Sequence, residues 1–458
     1  MTEPGRIGSS LQNASIQAAV LSYISTKVNH CCEKATECYR LERLQEAKSA
    51  QQQVFILHFV LEESSSVPLE DHVVESLPND LINLPTSAWI ESLRNGGNRL
   101  VLRIWRGGCQ WWNLHQNGSP LDLAKGEVMG YQVARQALLK YSSTDLPRIP
   151  QVLMFENGGL DKNRTRPVWA VLEYVGPGSS HLPMENVDVC YMNGMVKTRI
   201  EFGFDEPHPR WGRVPVDQAL QYARLVLRQT MIPLHQATKR MKRPSDGTVV
   251  HRYESMLKKY RTAFQTIDDA MKLKNVQHDD PILEALRKLN DALKVIEDIS
   301  FRGVVNDLAP VLVHLDLQPQ NLIFHKPQMI QITANQQSQP SARIYSVLDW
   351  EDAMWADPRF DVLMLCRKVC ANMEQAKEVW SEYENAMFNE EKTTEGRKEV
   401  CGMGPILPWL QLETVHSVTT LLLQWMDLLN GGRNPWETKK DLWGKMQREL
   451  ARWEGYNP

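Results

Sequence analysis

The chain has 458 residues, 42% of them apolar and 23% charged, with a formal net charge of −3. That length exceeds one typical hydrophobic core and calls for two or three packed units. The near-balanced charge gives no basis for a nucleic-acid surface or a membrane-binding face, which leaves a small molecule as the default partner; oligomeric state is not written in the composition.

Met1 to Ser10 is polar, and the first apolar run, Ala18 to Leu21, is too short for a secretion signal. No stretch reaches the length of a membrane span, so a soluble, cytoplasmic protein is expected. Cysteines stand at 31, 32, 38, 109, 190, 366, 370 and 401. Their spacing matches no standard zinc pattern. Cys366 and Cys370 fall one helical turn apart on a mainly apolar face, as core thiols do, and reduced thiols fit a cytosol.

In chain order, Ile16, Val20, Ile24 and Val28 recur at every fourth position, which predicts helix over 11–52 and a helical extension over 1–53. From Val54 the pattern changes to strands, over Val54–Leu61, Val73–Val74, Ala88–Leu93 and Leu100–Trp105. Asn95-Gly96-Gly97-Asn98 reads as the turn between the last two. This is the signature of a small antiparallel-sheet lobe over 54–175. The stretch 78–87, between the second and third strands, contains no glycine. A helix carries Glu127 and continues through Leu138-Leu139, and a later strand from Trp169 runs into Gly176-Pro177-Gly178.

Residues 176–458 read as a mainly helical lobe. Phe202 to Val214, with Pro207, Pro209 and Trp211, is expected to be an irregular loop and a candidate lid. Met256, Tyr260, Phe264, Ile267 and Met271 form one helical stripe. Ile282, Leu286, Leu289, Leu293 and Ile296 form a second, opened by Asp280 and Pro281 as N-cap and first helical residue. Further helices are expected over Val362–Met373 and over Leu407–Asn430, the latter stopped by Gly431-Gly432. The tryptophans at 409, 425, 436, 443 and 453 read as core rather than as a cage for a cation.

Two stretches carry the chemistry: Val313-His314-Leu315-Asp316-Leu317-Gln318-Pro319-Gln320-Asn321-Leu322-Ile323-Phe324, and downstream Val347-Leu348-Asp349-Trp350-Glu351-Asp352. Short apolar runs on either side, Val311–Val313, Leu322–Phe324 and Ile344–Leu348, place both at strand ends. Phosphoryl transfer to a hydroxyl needs a carboxylate that orients the attacking oxygen, and oxygen ligands that hold magnesium against the β- and γ-phosphates. Asp316 suits the first role; Asn321, five residues on across a turn stiffened by Pro319, and Asp349 suit the second.

The order His314, Asp316, Asn321 resembles protein kinases and also the aminoglycoside phosphotransferase and choline kinase superfamily. Gln318 stands where protein kinases usually have Lys, the metal motif is Asp349-Trp350-Glu351, and Trp355-Ala356-Asp357-Pro358-Arg359-Phe360-Asp361 is similar to the Gly-Asp-Pro-x-x-Asp-Leu run of the small-molecule kinases, with Ala356 in place of Gly. No Ala-Pro-Glu follows. The chain therefore resembles the small-molecule branch. The resemblance implies an α+β, bilobal protein-kinase-like fold, a small antiparallel-sheet lobe plus a mainly helical large lobe, with ATP and Mg2+ in the cleft. It implies that the glycine-free stretch 78–87 is the phosphate loop, and that Arg103 takes the place of the phosphate-anchoring Lys, with Glu127 as its partner. Arg148 to Leu153 is similar to the run before the family's hinge, and adenine would be read by main-chain atoms near Glu173 and Val175. Met231-Ile232-Pro233-Leu234-His235 resembles the family's Leu-His, where His235 reads as structural.

The expected activity is an ATP-dependent transfer to a hydroxyl of a small molecule. A pseudokinase or nucleotide-binding module, encouraged by the glycine-free stretch, is the alternative, and a protein Ser/Thr kinase a third reading. An acidic pocket of Glu351, Asp352 and Glu413 would favour a cationic acceptor.

Overall fold

Alternation of burial builds the first sheet from its most regular strand. Phe55, Leu57 and Phe59 are buried while Ile56, His58 and Val60 between them are half-buried, the period of two expected of a sheet with one face on a core. In the computed structural model the described residues are 20–25, 28, 38–47, 52–62, 80–105, 120–140, 146–156, 168–176, 179, 216–241, 252–273, 281–302, 308–317, 321–325, 343–370, 372–388, 402–429 and 438–456. They divide into two units. One is Met1–Gly108, Ser119–Gln132 and Pro150–Val187; the other is Cys109–Gly118, Val133–Ile149 and Asp188–Pro458.

The first unit holds a six-stranded antiparallel sheet made of β1 (Cys38–Ala47), β2 (Gln52–Glu62), β3 (Asp80–Asn83), β4 (Arg99–Trp105), β5 (Val152–Glu156) and β6 (Val168–Glu173). Its order is β1-β2-β4-β6-β5-β3. The helix α1 (Thr86–Asn95) lies between β3 and β4 in sequence, and α2 (Pro120–Leu139) follows β4. Tyr39, Phe55, Leu57, Phe59, Trp89, Leu93, Leu100, Leu102, Trp169 and Val171 share one buried cluster with Val20, Ile24 and Val28.

Three expectations fail in this unit. The helical extension expected over 1–53 does not hold in its described part: residues 20–25 are helical, but Cys38–Ala47 is a strand that pairs with β2 from Cys38↔Glu62 to Ala47↔Val54. Cross-strand pairing overrides the helical spacing of Leu41 and Leu44. The expected strand Ala88–Leu93 is α1. Trp89, Ile90 and Leu93 are all buried, and a helix brings positions i, i+1 and i+4 to one face where a strand would split them. Asn95-Gly96-Gly97-Asn98 accordingly stops a helix instead of turning a hairpin. Gly97 and Asn98 take φ of 63° and 60°, and the amides of Gly96 and Asn98 donate to the carbonyls of Ser92 and Leu93 at 2.8 Å each. The expected phosphate loop at 78–87 is not a loop where it is described. Asp80–Asn83 is β3, paired with β5, and α1 begins at Thr86. Pro78 and Asn79 lie outside the described residues, as do Val73-Val74, the candidate lid 202–214 and Trp436.

The second unit is mainly helical, as the sequence indicated. Its elements are α3 (Val216–Val226), a π-helical turn (Leu227–Met231), α4 (Ile232–Lys239), α5 (Tyr253–Leu273), α6 (Pro281–Phe301), β7 (Val311–Val313), β8 (Leu322–His325), β9 (Arg343–Val347), β10 (Met354–Ala356), α7 (Arg359–Val369), α8 (Met373–Phe388), α9 (Leu407–Leu429) and α10 (Lys439–Tyr456). The π turn precedes Pro233. A proline lacks the amide that would close an α turn, and its ring crowds the carbonyl four residues back, here that of Gln229, so the helix widens at that point. The predicted stripes of α5 and α6 are buried, except that Phe264 is only half-buried. Both helices pack against α9, whose buried residues run from Pro408 to Met426. Trp409 is core, and Trp425 meets Trp443 edge-on at 6.5 Å. Cys366 and Cys370 are buried free thiols. Among the described residues no helix is long and apolar enough to cross a membrane.

Candidate active site

The loop after β7 is held by hydrogen bonds from three directions. Among the described residues β7 pairs with β10 alone, in a two-stranded sheet, and the amide of Leu312 donates to Thr238 Oγ1 on α4 at 3.2 Å. Beyond the strand, Asp361 at the start of α7 presents its carboxylate to successive amides. The N–H of His314 donates to both oxygens at 3.1 and 2.9 Å, and that of Leu315 to Oδ1 at 2.6 Å. Leu315 sits at φ 64°, a left-handed conformation that costs a branched residue about 1–3 kcal/mol and persists only where its surroundings dictate it. The next residue is Asp316.

The His314 ring joins the two carboxylate loops. Its Nδ1 accepts the Asp316 amide at 3.2 Å, which leaves the proton on Nε2 to donate to the carbonyl of Leu348 at 2.9 Å. Trp350 packs on it with centroids 4.6 Å apart. Asn321 makes a second link. Its Nδ2 donates to the backbone carbonyl of Asp316 at 2.9 Å and to Asp316 Oδ2 at 2.6 Å, while its own carbonyl accepts the amide of Leu348 at 2.8 Å. Asp349 follows directly, itself at φ 62°. Asp316, Asn321 and Asp349, separated by up to 33 positions in sequence, are thus brought together by the β8–β9 pair, in register at Leu322↔Val347, and by these bonds.

Supports behind the loop come from the π turn, α4 and the start of α7. Gln229 in the π turn accepts the amide of Ile344 on β9 at 2.8 Å. Asp357 accepts the amide of Leu308 at 3.3 Å and pairs with Arg359, which donates to the carbonyl of Met403 and lies 4.3 Å from the Trp409 ring. A buried pair of this kind depends on every donor being used, and here Asp357 bonds Arg359 through both Nε and Nη2. His235 is buried between Asp361 Oδ2 at 3.1 Å and the Tyr383 hydroxyl at 2.7 Å, which fits the structural reading of that histidine.

In the first unit Arg103 and Glu127 form a buried ion pair, the pairing expected from sequence. Arg103 also donates to Tyr131 Oη at 3.3 Å, and Trp105 Nε1 to Glu127 Oε2 at 3.1 Å. Glu173 ends β6; its amide donates to the carbonyl of Gln151 at 2.8 Å, and its side chain accepts the amide of Gln151 at 3.3 Å. Val175, two residues on, is buried.

One expectation is corrected by the packing. Glu413 cannot join Glu351 and Asp352 in an acidic pocket, because it is buried on α9 and paired with Arg367, within a cluster that also contains Glu449 and Arg452. A charge already compensated in this way does not attract a cationic substrate. Gln229, Thr238 and Tyr383 were not singled out by sequence. Their roles arise from contacts made across 74 to 148 positions, which no local pattern encodes.

Residues 234–395, which contain His235, Thr238, the loop of His314 to Asn321, Asp349, Asp357, Asp361 and Tyr383, match the family model described as phosphotransferase enzyme family. That match bears out the superfamily resemblance read from the motif and supports a phosphotransferase. Among solved structures, a choline/ethanolamine kinase family protein from Mesorhizobium loti is 13% identical over 91% of this chain and 88% of its own, with a TM-score of 0.38. The ADP-bound aminoglycoside phosphotransferase APH(2'')-Ib is 12% identical over 93% and 98%, with a TM-score of 0.41. Choline kinase LicA from Streptococcus pneumoniae is 11% identical over 94% and 99%, with a TM-score of 0.39. No curated protein matches the sequence.

Proposed function

We propose that the protein is an ATP-dependent phosphotransferase that moves the γ-phosphoryl group of ATP to a hydroxyl of a small molecule. The observation that carries this reading is the joining of Asp316, Asn321 and the Asp349 turn through the hydrogen bonds of Asn321 and His314. Asp316 orients the acceptor hydroxyl and takes its proton as the oxygen attacks the γ-phosphorus, with ADP as the leaving group. Asn321 and Asp349 supply an amide oxygen and a carboxylate. That donor set fits Mg2+, which is bound by one or two protein carboxylates together with substrate phosphates and water, not by a full protein cage. When bound, the ion neutralises charge on the phosphates.

Arg103, oriented by Glu127, is the proposed phosphate anchor of the first unit, and the main chain at Glu173 and Val175 the proposed adenine contact. The pseudokinase reading drew its force from a phosphate loop without glycine at 78–87. With β3 and the start of α1 over its described part, that stretch no longer counts against nucleotide binding.

A panel of hydroxyl-bearing metabolites assayed for ATP consumption with magnesium tests the reading. Transfer to at least one of them, lost in Asp316→Asn, is expected. Failure of the protein to bind ATP in magnesium would overturn it and leave the binding-module reading without a nucleotide as well.

A further inference from the structure

The support behind the catalytic loop has a direction, set by how many protons each group can give. His235 Nε2 lies 3.1 Å from Asp361 Oδ2, and that contact is attractive only if Nε2 carries a hydrogen. A neutral imidazole has one such hydrogen, so Nδ1 is then bare and can only accept. The atom facing Nδ1, at 2.7 Å, is the Tyr383 hydroxyl on α8, which has a single proton to give. Burial, and then the negative charges of Asp357 and Asp361, hold the phenol well above its ordinary pKa, so it stays a donor. Tyr383, His235, Asp361 and His314 are at most 1% exposed, which leaves water no place to substitute for any link.

We propose that Tyr383 is a positioning residue for Asp316: its hydroxyl donates to the bare Nδ1 of His235 and fixes the plane of the ring, so that Nε2–H holds the Asp361 carboxylate on which the His314 and Leu315 amides hang. The kinetic half of this proposal rests on the role given to Asp316 above; the anchoring half does not. The chain of bonds runs from Tyr383 Oη–H to His235 Nδ1, from His235 Nε2–H to Asp361, and from Asp361 to the amides of a loop whose Leu315 is held at φ 64°. Without the phenol, Nδ1 is a buried acceptor with no donor, and the imidazole can turn so that Nε2–H swings away from Asp361. The carboxylate is then free to rotate, and Leu315 can relax from its left-handed conformation. Asp316, the next residue, loses its aim, while the atoms proposed to touch nucleotide keep theirs.

The test compares Tyr383→Phe with the unaltered protein in two readouts. Imidazole 15N resonances of histidine-labelled protein should show His235 with a bare Nδ1 whose resonance moves downfield in Tyr383→Phe, as an accepting nitrogen does on losing its donor, and the amide protons of His314 and Leu315 should move upfield together. ATP hydrolysis in magnesium, with water as acceptor, should show kcat lower by about 10- to 100-fold, the scale of a small misplacement of a reacting group, with KM for ATP unchanged within about twofold. A wild-type His235 protonated on Nδ1, unmoved amide resonances, or an unchanged kcat would each overturn the proposal. If the unaltered protein neither hydrolyses ATP nor transfers phosphate to any member of the metabolite panel, the phosphotransferase reading is what fails, and the resonances alone decide the anchoring. Should Tyr383→Phe not fold, His235→Gln, whose amide can still donate to Asp361, should lose less activity than His235→Asn, whose shorter amide reaches toward Tyr383; equal losses overturn the inference.

Discussion

Helix α8 makes polar contacts of two opposite kinds. Towards α4 it places Tyr383 against His235, out of water, in the chain of bonds that ends at the loop of Asp316. Towards α3 and the π turn it places Glu378 and Glu382 against Arg224 and Arg228, where the Arg228 side chain is 63% exposed and that of Glu378 is 50% exposed. The distances in the two regions are similar, with Arg224 2.8 Å from Glu378 and 3.1 Å from Glu382. Their consequences differ because water is an alternative partner in one region and not in the other. Exposed pairs are worth about 0–1 kcal/mol and weaken in salt, while a buried donor that loses its acceptor incurs its full desolvation cost. The number of hydrogen bonds therefore says little about which region sets the geometry of the active loop.

The largest effect is expected where the buried region is cut at its centre. Asp361→Ala removes the acceptor of three buried donors, the amides of His314 and Leu315 and His235 Nε2, and should lower stability by about 3–5 kcal/mol. Urea denaturation should show a lower midpoint at unchanged slope. A loss below about 1 kcal/mol would place the buried region in the same class as the exposed one.

Asp316→Asn separates chemistry from scaffold. The side chain is half-buried and its carbonyl and Oδ2 accept from Asn321, so an amide there keeps the shape but cannot take a proton. We expect kcat to fall by about 10²- to 10⁴-fold, with stability within about 0.5 kcal/mol of the unaltered protein and nucleotide affinity little changed. Calorimetry with a nucleotide analogue beside a steady-state assay measures both. A kcat near that of the unaltered protein would remove Asp316 from its role.

What was legible in the sequence follows the same division between local and distant causes. The strands β2, β4 and β6 and the helices α5, α6 and α9 were readable because their burial repeats within one element. The loop was readable because His314, Asp316 and Asn321 lie within eight positions, and Asp357 and Asp361 within five. β1 was missed because Cys38–Ala47 becomes a strand through its partner β2, not through its own pattern. α1 was missed because Trp89, Ile90 and Leu93 make a short apolar run that fits either element, and its N-cap, Pro85, offers no side-chain hydrogen bond to announce a helix. The anchors of the loop were invisible for a stronger reason. His235 and Asp361 are 126 positions apart, and His235 and Tyr383 148, so their meeting is a product of helix packing.

A smaller effect is expected at Asp349, which stands outside both regions. Asp349→Asn keeps a residue that tolerates φ 62° but removes the charge that would face the ion. Thermal shift with ATP should shrink in magnesium and be unchanged in EDTA, because ligand linkage scales with affinity, about 2.7 kcal/mol at a hundredfold excess over Kd. Equal shifts in the two buffers would mean that the carboxylate does not act through a metal.

The smallest effect should come from the exposed region, and it is the sharpest check on the comparison because the same helix is involved. Glu382→Gln removes the charge that pairs with both Arg224 and Arg228, yet leaves an amide oxygen able to accept from Arg224 Nε. Both guanidinium groups are substantially exposed, at 37% and 63% of their side chains, so water replaces what is lost. The expected change in stability is below about 1 kcal/mol and should vanish in about 1 M salt, where screening extends only about 3 Å. Chemical denaturation by urea at low and high salt reads it directly. Were Glu382→Gln to cost several kcal/mol, or to lower kcat as Tyr383→Phe is expected to, exposure would not be what separates the two faces of α8. The support of the loop would then have to be sought across the whole helix instead of at its one buried hydroxyl.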